Sequence, residues 1–174
     1  LCTTLDSPPL FCNYINIKDV IIPNKNYVVL LPFGYRSMRL VSDDFYYELI
    51  RNLFDMGFVP VITGDRQFHN NDNGYWDWID KIKKEIEVID LTLSPSIIKS
   101  WSYAKNAVAC ITDRTMGTAL FSLACPKLVV LDKLGDFNHP ADDYIFNDPK
   151  LLYVMEEFVN ETELMEIIIQ FIKN

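Results

Sequence analysis

Basic charge is scarce in this chain of 174 residues. Its 16 lysines and arginines face 24 aspartates and glutamates, for a formal charge of -8. That excludes broad nucleic-acid binding, which needs a basic face, and general adhesion to an anionic membrane. No apolar run approaches the ~20 residues of a membrane span. The start, Leu1-Cys2-Thr3-Thr4, lacks the basic and apolar regions of a signal peptide. It also lacks an initiator Met, as a fragment or trimmed chain would. Histidine is nearly missing: His69 and His139 are the only two. Neither sits in a motif with a Ser, Cys or Asp partner, so both read as loop residues. The four cysteines, Cys2, Cys12, Cys110 and Cys125, match no zinc spacing. Cys110 in an apolar strand and Cys125 before Pro126 read as buried thiols. Cys2 and Cys12 are candidates to pair, and free thiols in a reducing cytosol are the plainer reading. There is no internal repeat and no low-complexity tract.

What is present is a globular composition, 49% hydrophobic, on a chain long enough for one domain with a real core. Residues 1–24 carry Pro8, Pro9 and Pro23 and read as a linker or lead-in; residues 25–174 read as the domain. Tyr27 to Pro32 is a buried strand. Ser42 caps a helix with Asp43 and Asp44 in its first turn and the stripe Phe45, Leu49, Leu53, Phe54; Gly57 stops it. Phe58 to Thr63 is the second strand. Gly74 to Ile86 reads as a helix, Val88 to Leu91 as a third strand, and Ser94-Pro95 as the opening of a helix to about Asn106. Val108 to Ile111, a helix from Thr115 to Leu123, and the strand Lys127 to Leu131 follow. Residues 132–150 are irregular, and Leu151 to Met155 is a candidate sixth strand. Asn160 with Glu163 starts the last helix. Trp76, Trp78 and Trp101 fall on helices and read as packing residues.

The strands are continuous Val/Ile/Leu runs, the mark of strands covered on both faces. Strand–helix alternation with short connections gives a doubly wound parallel α/β sheet, Rossmann-like, of strand order about 3-2-1-4-5(-6) with helices on both faces. Ligands of such sheets bind beyond the carboxyl ends of the strands where the winding reverses, here between the first and fourth strands. Two loops meet there. The first contains Gly34, Arg36 and Arg39. The second, Thr112-Asp113-Arg114-Thr115-Met116-Gly117-Thr118, leaves a strand and enters a helix whose free N–H groups suit a diphosphate. Of the five arginines, all but Arg51 lie in loops after strands, so Arg66 joins the candidates, with guanidinium groups placed to hold phosphate or carboxylate. After Gly64, Asp65 is the natural acid for ribose hydroxyls. Each element also has a plainer reading: a loop that needs a Gly, an N-cap at Thr112 or Asp113, scattered surface ion pairs, a turn Asp.

Val88-Ile89-Asp90-Leu91-Thr92, the helix after it, then Val108 to Thr118 and Ala119 to Pro126, together resemble the C-terminal domain of the heptosyltransferases. Pro32 with Gly34, and Val61-Ile62-Thr63-Gly64, fit the same family. The resemblance covers roughly residues 27–132 and implies the nucleotide-sugar-binding half of a GT-B type glycosyltransferase. The family transfers heptose from ADP-heptose onto lipopolysaccharide. Its turn continues to a His where this chain has Met116, Gly117 and Ala119, and Asp113 is one place off in register. Thr112-Asp113-Arg114 and Gly117 also resemble the polysaccharide pyruvyl transferases, with Met116 at that family's His.

Both resemblances imply surface polysaccharide synthesis. The first implies a nucleotide-sugar donor bound here, and a glycan or lipid-linked acceptor bound by an N-terminal domain outside this chain. Arg36, Arg39 and Arg114 would neutralise the diphosphate, while Thr115 to Thr118 supply N–H and hydroxyl contacts, stabilising the departing nucleotide. No cofactor or metal is expected beyond the nucleotide-diphosphate sugar itself. The expected location is cytoplasmic, peripheral at the inner membrane. A pyruvyl transferase-like enzyme, or a non-catalytic binding or assembly module on the same fold, is the alternative.

Overall fold

Each predicted apolar run forms a strand, and every pair of neighbouring strands is parallel. The computed structural model describes residues 22–32, 40–66, 77–133, 150–155 and 160–174. In chain order the elements are β1 (Tyr27–Leu31), α1 (Asp43–Asp55), β2 (Val59–Ile62), α2 (Asp77–Ile82), β3 (Ile89–Asp90), α3 (Ile97–Asn106), β4 (Ala109–Asp113), α4 (Met116–Ser122), β5 (Leu128–Asp132), β6 (Leu151–Met155) and α5 (Glu161–Lys173). The six strands lie in the order β3-β2-β1-β4-β5-β6, the expected doubly wound sheet.

Successive strand residues point to opposite faces, and each face is sealed by its own helices. Val28, Leu30, Ile62, Ile111, Val129 and Leu131 pack against α1, α2 and α5, through residues such as Leu49, Ile79 and Ile168. Val29, Val61, Cys110 and Val130 pack on the other side against Tyr103 and Ala104 of α3 and Phe121 of α4. Double coverage is why these strands are apolar throughout rather than alternating. Trp78 is buried and stacks on Tyr46, with ring centroids 6.0 Å apart. Trp76 lies outside the described residues.

Helix ends follow local chemistry. Ser42 caps α1, its side chain accepting from the Phe45 N–H. Ser42 also donates its own N–H to Glu161 Oε1 at 2.9 Å, joining the start of α1 to the start of α5. At the other end Phe58 N–H donates to Leu53 O and Gly57 N–H to Phe54 O, a Schellman closure. It needs a left-handed residue, and Gly57 supplies it at φ +87°. Asn160 caps α5 by accepting from Thr162 N–H, and Lys127 Nζ donates to the Phe171 and Ile172 carbonyls at its far end.

Two boundaries differ from expectation. The helix expected from Ser94 begins at Ile97, capped by Ser96. Pro95 disfavours helical backbone at the residue before it, so Ser94 is kept out. The helix expected over 74–86 is Asp77–Ile82, followed by irregular turns to Ile86; residues 74–76 lie outside the described residues. Cys110 and Cys125 are buried free thiols as expected; Cys2 and Cys12 lie outside the described residues. Among the described residues no helix is long and apolar enough to cross a membrane.

Candidate functional site

Leu30 pairs with Ile62 and Leu31 with Thr112, so the carboxyl ends of β2, β1 and β4 are neighbours where the winding reverses. Beside them, on the face covered by α3 and α4, lies a cavity of about 500 Å³. Leu31, Gly64 and Asp65 form its sheet side, Pro95 precedes α3, Ile97 and Ser100 lie in its first turn, and Leu120 and Phe121 belong to α4. The volume is within the usual range of small-molecule sites, roughly 300–1,000 Å³. Its walls are mainly hydrocarbon, and among the described residues Asp65 is the only ionisable side chain in the lining. Gly64 has φ +136°, a backbone conformation left to glycine; it turns the chain so that the exposed Asp65 follows at the cavity.

The other candidate residues divide into frame and rim. Thr112 is fully buried, and its hydroxyl donates to the Asp113 carbonyl at 2.7 Å. The buried Asp113 carboxylate accepts from the Tyr46 hydroxyl at 2.5 Å, on the α1 side of the sheet. These two residues brace the end of β4. Thr115 N–H donates to Thr118 Oγ1 at 3.1 Å, and that hydroxyl donates to the Asp113 carbonyl at 3.3 Å. The turn into α4, opened by Met116 and Gly117, is thus closed by its own hydrogen bonds. Arg114 keeps a quarter of its side chain exposed and donates Nη1 to Asp132 Oδ2 at 2.8 Å. Asp132, at the end of β5, is buried and also accepts from the Tyr153 hydroxyl.

Arg66 differs most from expectation. Its two η nitrogens grip Asp80 at 3.2 and 3.0 Å, one of them also reaches Asp90 Oδ2 at 2.9 Å, and Nε donates to Thr92 Oγ1 at 2.7 Å. This guanidinium ties β2, β3 and α2 together and belongs to the frame. Asp90 also accepts from Lys83 at 2.7 Å. Burial alone would raise the Asp90 carboxyl; the bonds from Lys83 and Thr92 and the Arg66 charge outweigh it and hold its pKa below the usual range. Gly34, Arg36 and Arg39 lie outside the described residues.

Sequence reading missed most of the cavity lining. Ser96 and Ser100 share one helix face by their spacing of four, and the 68% exposure of Ile97 beside them is apolar surface a ligand could cover. Thr63, after β2, is buried and hydrogen-bonded through its hydroxyl to that of Ser100. The signal available was a pair of hydroxyl residues four apart after the β3 run.

No family model and no curated protein matches the chain. Solved structures do. Escherichia coli ADP-heptose lipopolysaccharide heptosyltransferase II is similar over 99% of this chain and 53% of its own, with a TM-score of 0.64 at 13% identity. A glycosyl transferase family 9 protein from Veillonella parvula is similar over 82% of this chain and 39% of its own, with a TM-score of 0.54 at 9% identity. The glycotransferase of kitacinnamycin is similar over 90% of this chain and 37% of its own, with a TM-score of 0.55 at 14% identity. At such identities the likeness is one of fold: the chain spans 37–53% of the length of these three chains.

Proposed function

We propose that this chain is the donor-binding half of a glycosyltransferase of surface polysaccharide or lipopolysaccharide synthesis, holding a nucleotide-diphosphate sugar as substrate and needing no further cofactor. One observation carries the reading: an apolar cavity at the strand ends of β1 and β2, with a carboxylate in its lining. The hydrocarbon walls suit the faces of a base, and Asp65 suits the ribose hydroxyls. The diphosphate would extend toward the β4–α4 turn and Arg114; Arg36 and Arg39, read from the sequence alone, are the other candidate cations for it. Arg114 is held at Asp132, so its role is electrostatic and fixed in place. The fold shared with three glycosyltransferase chains supports this reading over a nicotinamide enzyme on a similar sheet. The acceptor, a glycan or lipid-linked sugar, would bind a second domain on the cytoplasmic side of the membrane, since this chain spans only 37–53% of those relatives.

Calorimetry with UDP, GDP, ADP and CMP tests the reading. One of them should bind in the micromolar range, and Asp65→Ala should weaken it tenfold or more while Glu48→Gln, on the exposed side of α1, changes nothing. Silence across the whole panel would leave a non-catalytic assembly module as the better account. Binding of phosphoenolpyruvate instead would favour a pyruvyl transferase.

A further inference from the structure

We propose that Ser100 reads the edge of the nucleotide base, donating its hydroxyl proton to a ring nitrogen or carbonyl oxygen of the bound heterocycle. This rests on the nucleotide reading above and names the group that would select among bases.

Thr63 and Ser100 carry one hydroxyl proton each, and their side chains share one hydrogen bond. Thr63 is 2% exposed, so its proton has no water to go to, and an unsatisfied buried hydroxyl is costly. Among the described residues Ser100 Oγ is the partner Thr63 has. Thr63 therefore donates and Ser100 accepts. The Ser100 proton is left over, and Ser100 lines the cavity. Ser96, one turn earlier in that lining, accepts from Lys99 N–H at 3.3 Å as the cap of α3 and keeps its own proton; Ser96→Ala, which leaves Ser100 in place, should preserve the spread among bases. The bond from Thr63 fixes the Ser100 hydroxyl before any ligand arrives, which is the condition for selectivity rather than mere affinity. Around it the lining is Leu31, Pro95, Ile97, Leu120 and Phe121. Hydrocarbon grips any base by its faces and tells bases apart poorly; an oriented donor within it discriminates by edge chemistry.

The test compares the best-binding nucleoside diphosphate with ribose 5-diphosphate, which keeps sugar and phosphates and lacks the base. Ser100→Ala should weaken the nucleotide about tenfold, the size of one lost neutral hydrogen bond. It should leave ribose 5-diphosphate unchanged and narrow the spread among UDP, GDP, ADP and CMP. Ser100→Thr, which keeps the hydroxyl, should restore most of the difference. Thr63→Val, which frees the Ser100 hydroxyl to rotate, should give a smaller loss of the same kind and serves as the readout if Ser100→Ala does not fold. Nucleotide binding with an unchanged spread in Ser100→Ala would overturn the role of Ser100 and leave the nucleotide reading standing. Wild-type protein that binds none of the four sinks both.

Discussion

Replacing Asp90 by Asn removes the charge at the centre of the cluster that joins β2, β3 and α2. The Asp90 side chain is 4% exposed and meets Arg66 at 2.9 Å and Lys83 at 2.7 Å; it also accepts from the Thr92 N–H at 2.9 Å and the Thr92 hydroxyl at 2.5 Å. Asn keeps one oxygen for Thr92 but turns an amide toward two cations. Breaking a buried ion pair costs roughly 3–5 kcal/mol. Here Lys83 can reach water and Arg66 retains Asp80, so the expected loss is about 2–3 kcal/mol. For a domain of this length that is about 5–10 °C in Tm. Urea titration followed by circular dichroism measures it at pH 7. The pH dependence adds a second check. The folded Asp90 carboxyl sits below its unfolded value of about 3.9, so its contribution is complete above that value and fades as pH falls through the folded one. The gap between wild type and Asp90→Asn should therefore shrink between pH 5 and pH 2. A gap under about 0.5 kcal/mol at pH 7, or one that does not narrow in acid, refutes the reasoning.

Ser42→Ala removes the cap of α1 and one of its ties to Glu161; unfolding should show a loss of about 1–2 kcal/mol, with fold and nucleotide binding kept. In a variant with Cys2 and Cys12 changed to Ser, Cys110 should resist alkylation in native protein at pH 8 and react once unfolded in urea, as mass spectrometry of the labelled peptides would show. Burial leaves it fully enclosed and pushes its thiol well above the ordinary range.

The sheet was legible because its cause is local. Six apolar runs separated by capped helices leave few topologies, and Ser42, Gly57 and Asn160 mark three helix ends without any knowledge of tertiary contacts. Asp65 and Gly64 were legible for a similar reason, since a Gly-Asp after a buried strand falls at the ligand edge of such a sheet. Arg66 was not. Its position after a strand is visible, but the carboxylates that engage it are 14 and 24 residues further on, Asp80 on a helix and Asp90 at a strand end. Nothing in composition distinguishes a guanidinium aimed at solvent from one aimed at its own fold. The cavity wall was hidden in the same way: Leu31, Ile97, Leu120 and Phe121 look like ordinary core residues until the sheet places them side by side. Thr63 and Ser100 are 37 residues apart, and their pairing depends on how α3 crosses back over β2.

The tie between Ser42 and Glu161 bears on how the polypeptide matures as it is made. The layer of α3 and α4 has its partners on β1, β2, β4 and β5, with Leu151 and Tyr153 of β6 beside them, before any of α5 is made. The opposite layer does not, because Leu164, Ile168 and Ile172 of α5 complete it and the last turn of that helix is held by Lys127. A nascent chain halted before Leu164 would carry a half-finished protein, with one side sealed and the other sticky, the kind of species that aggregates or recruits chaperones. The helix α5 is thus the step that closes the apolar layer formed by α1 and α2 on this face of the sheet.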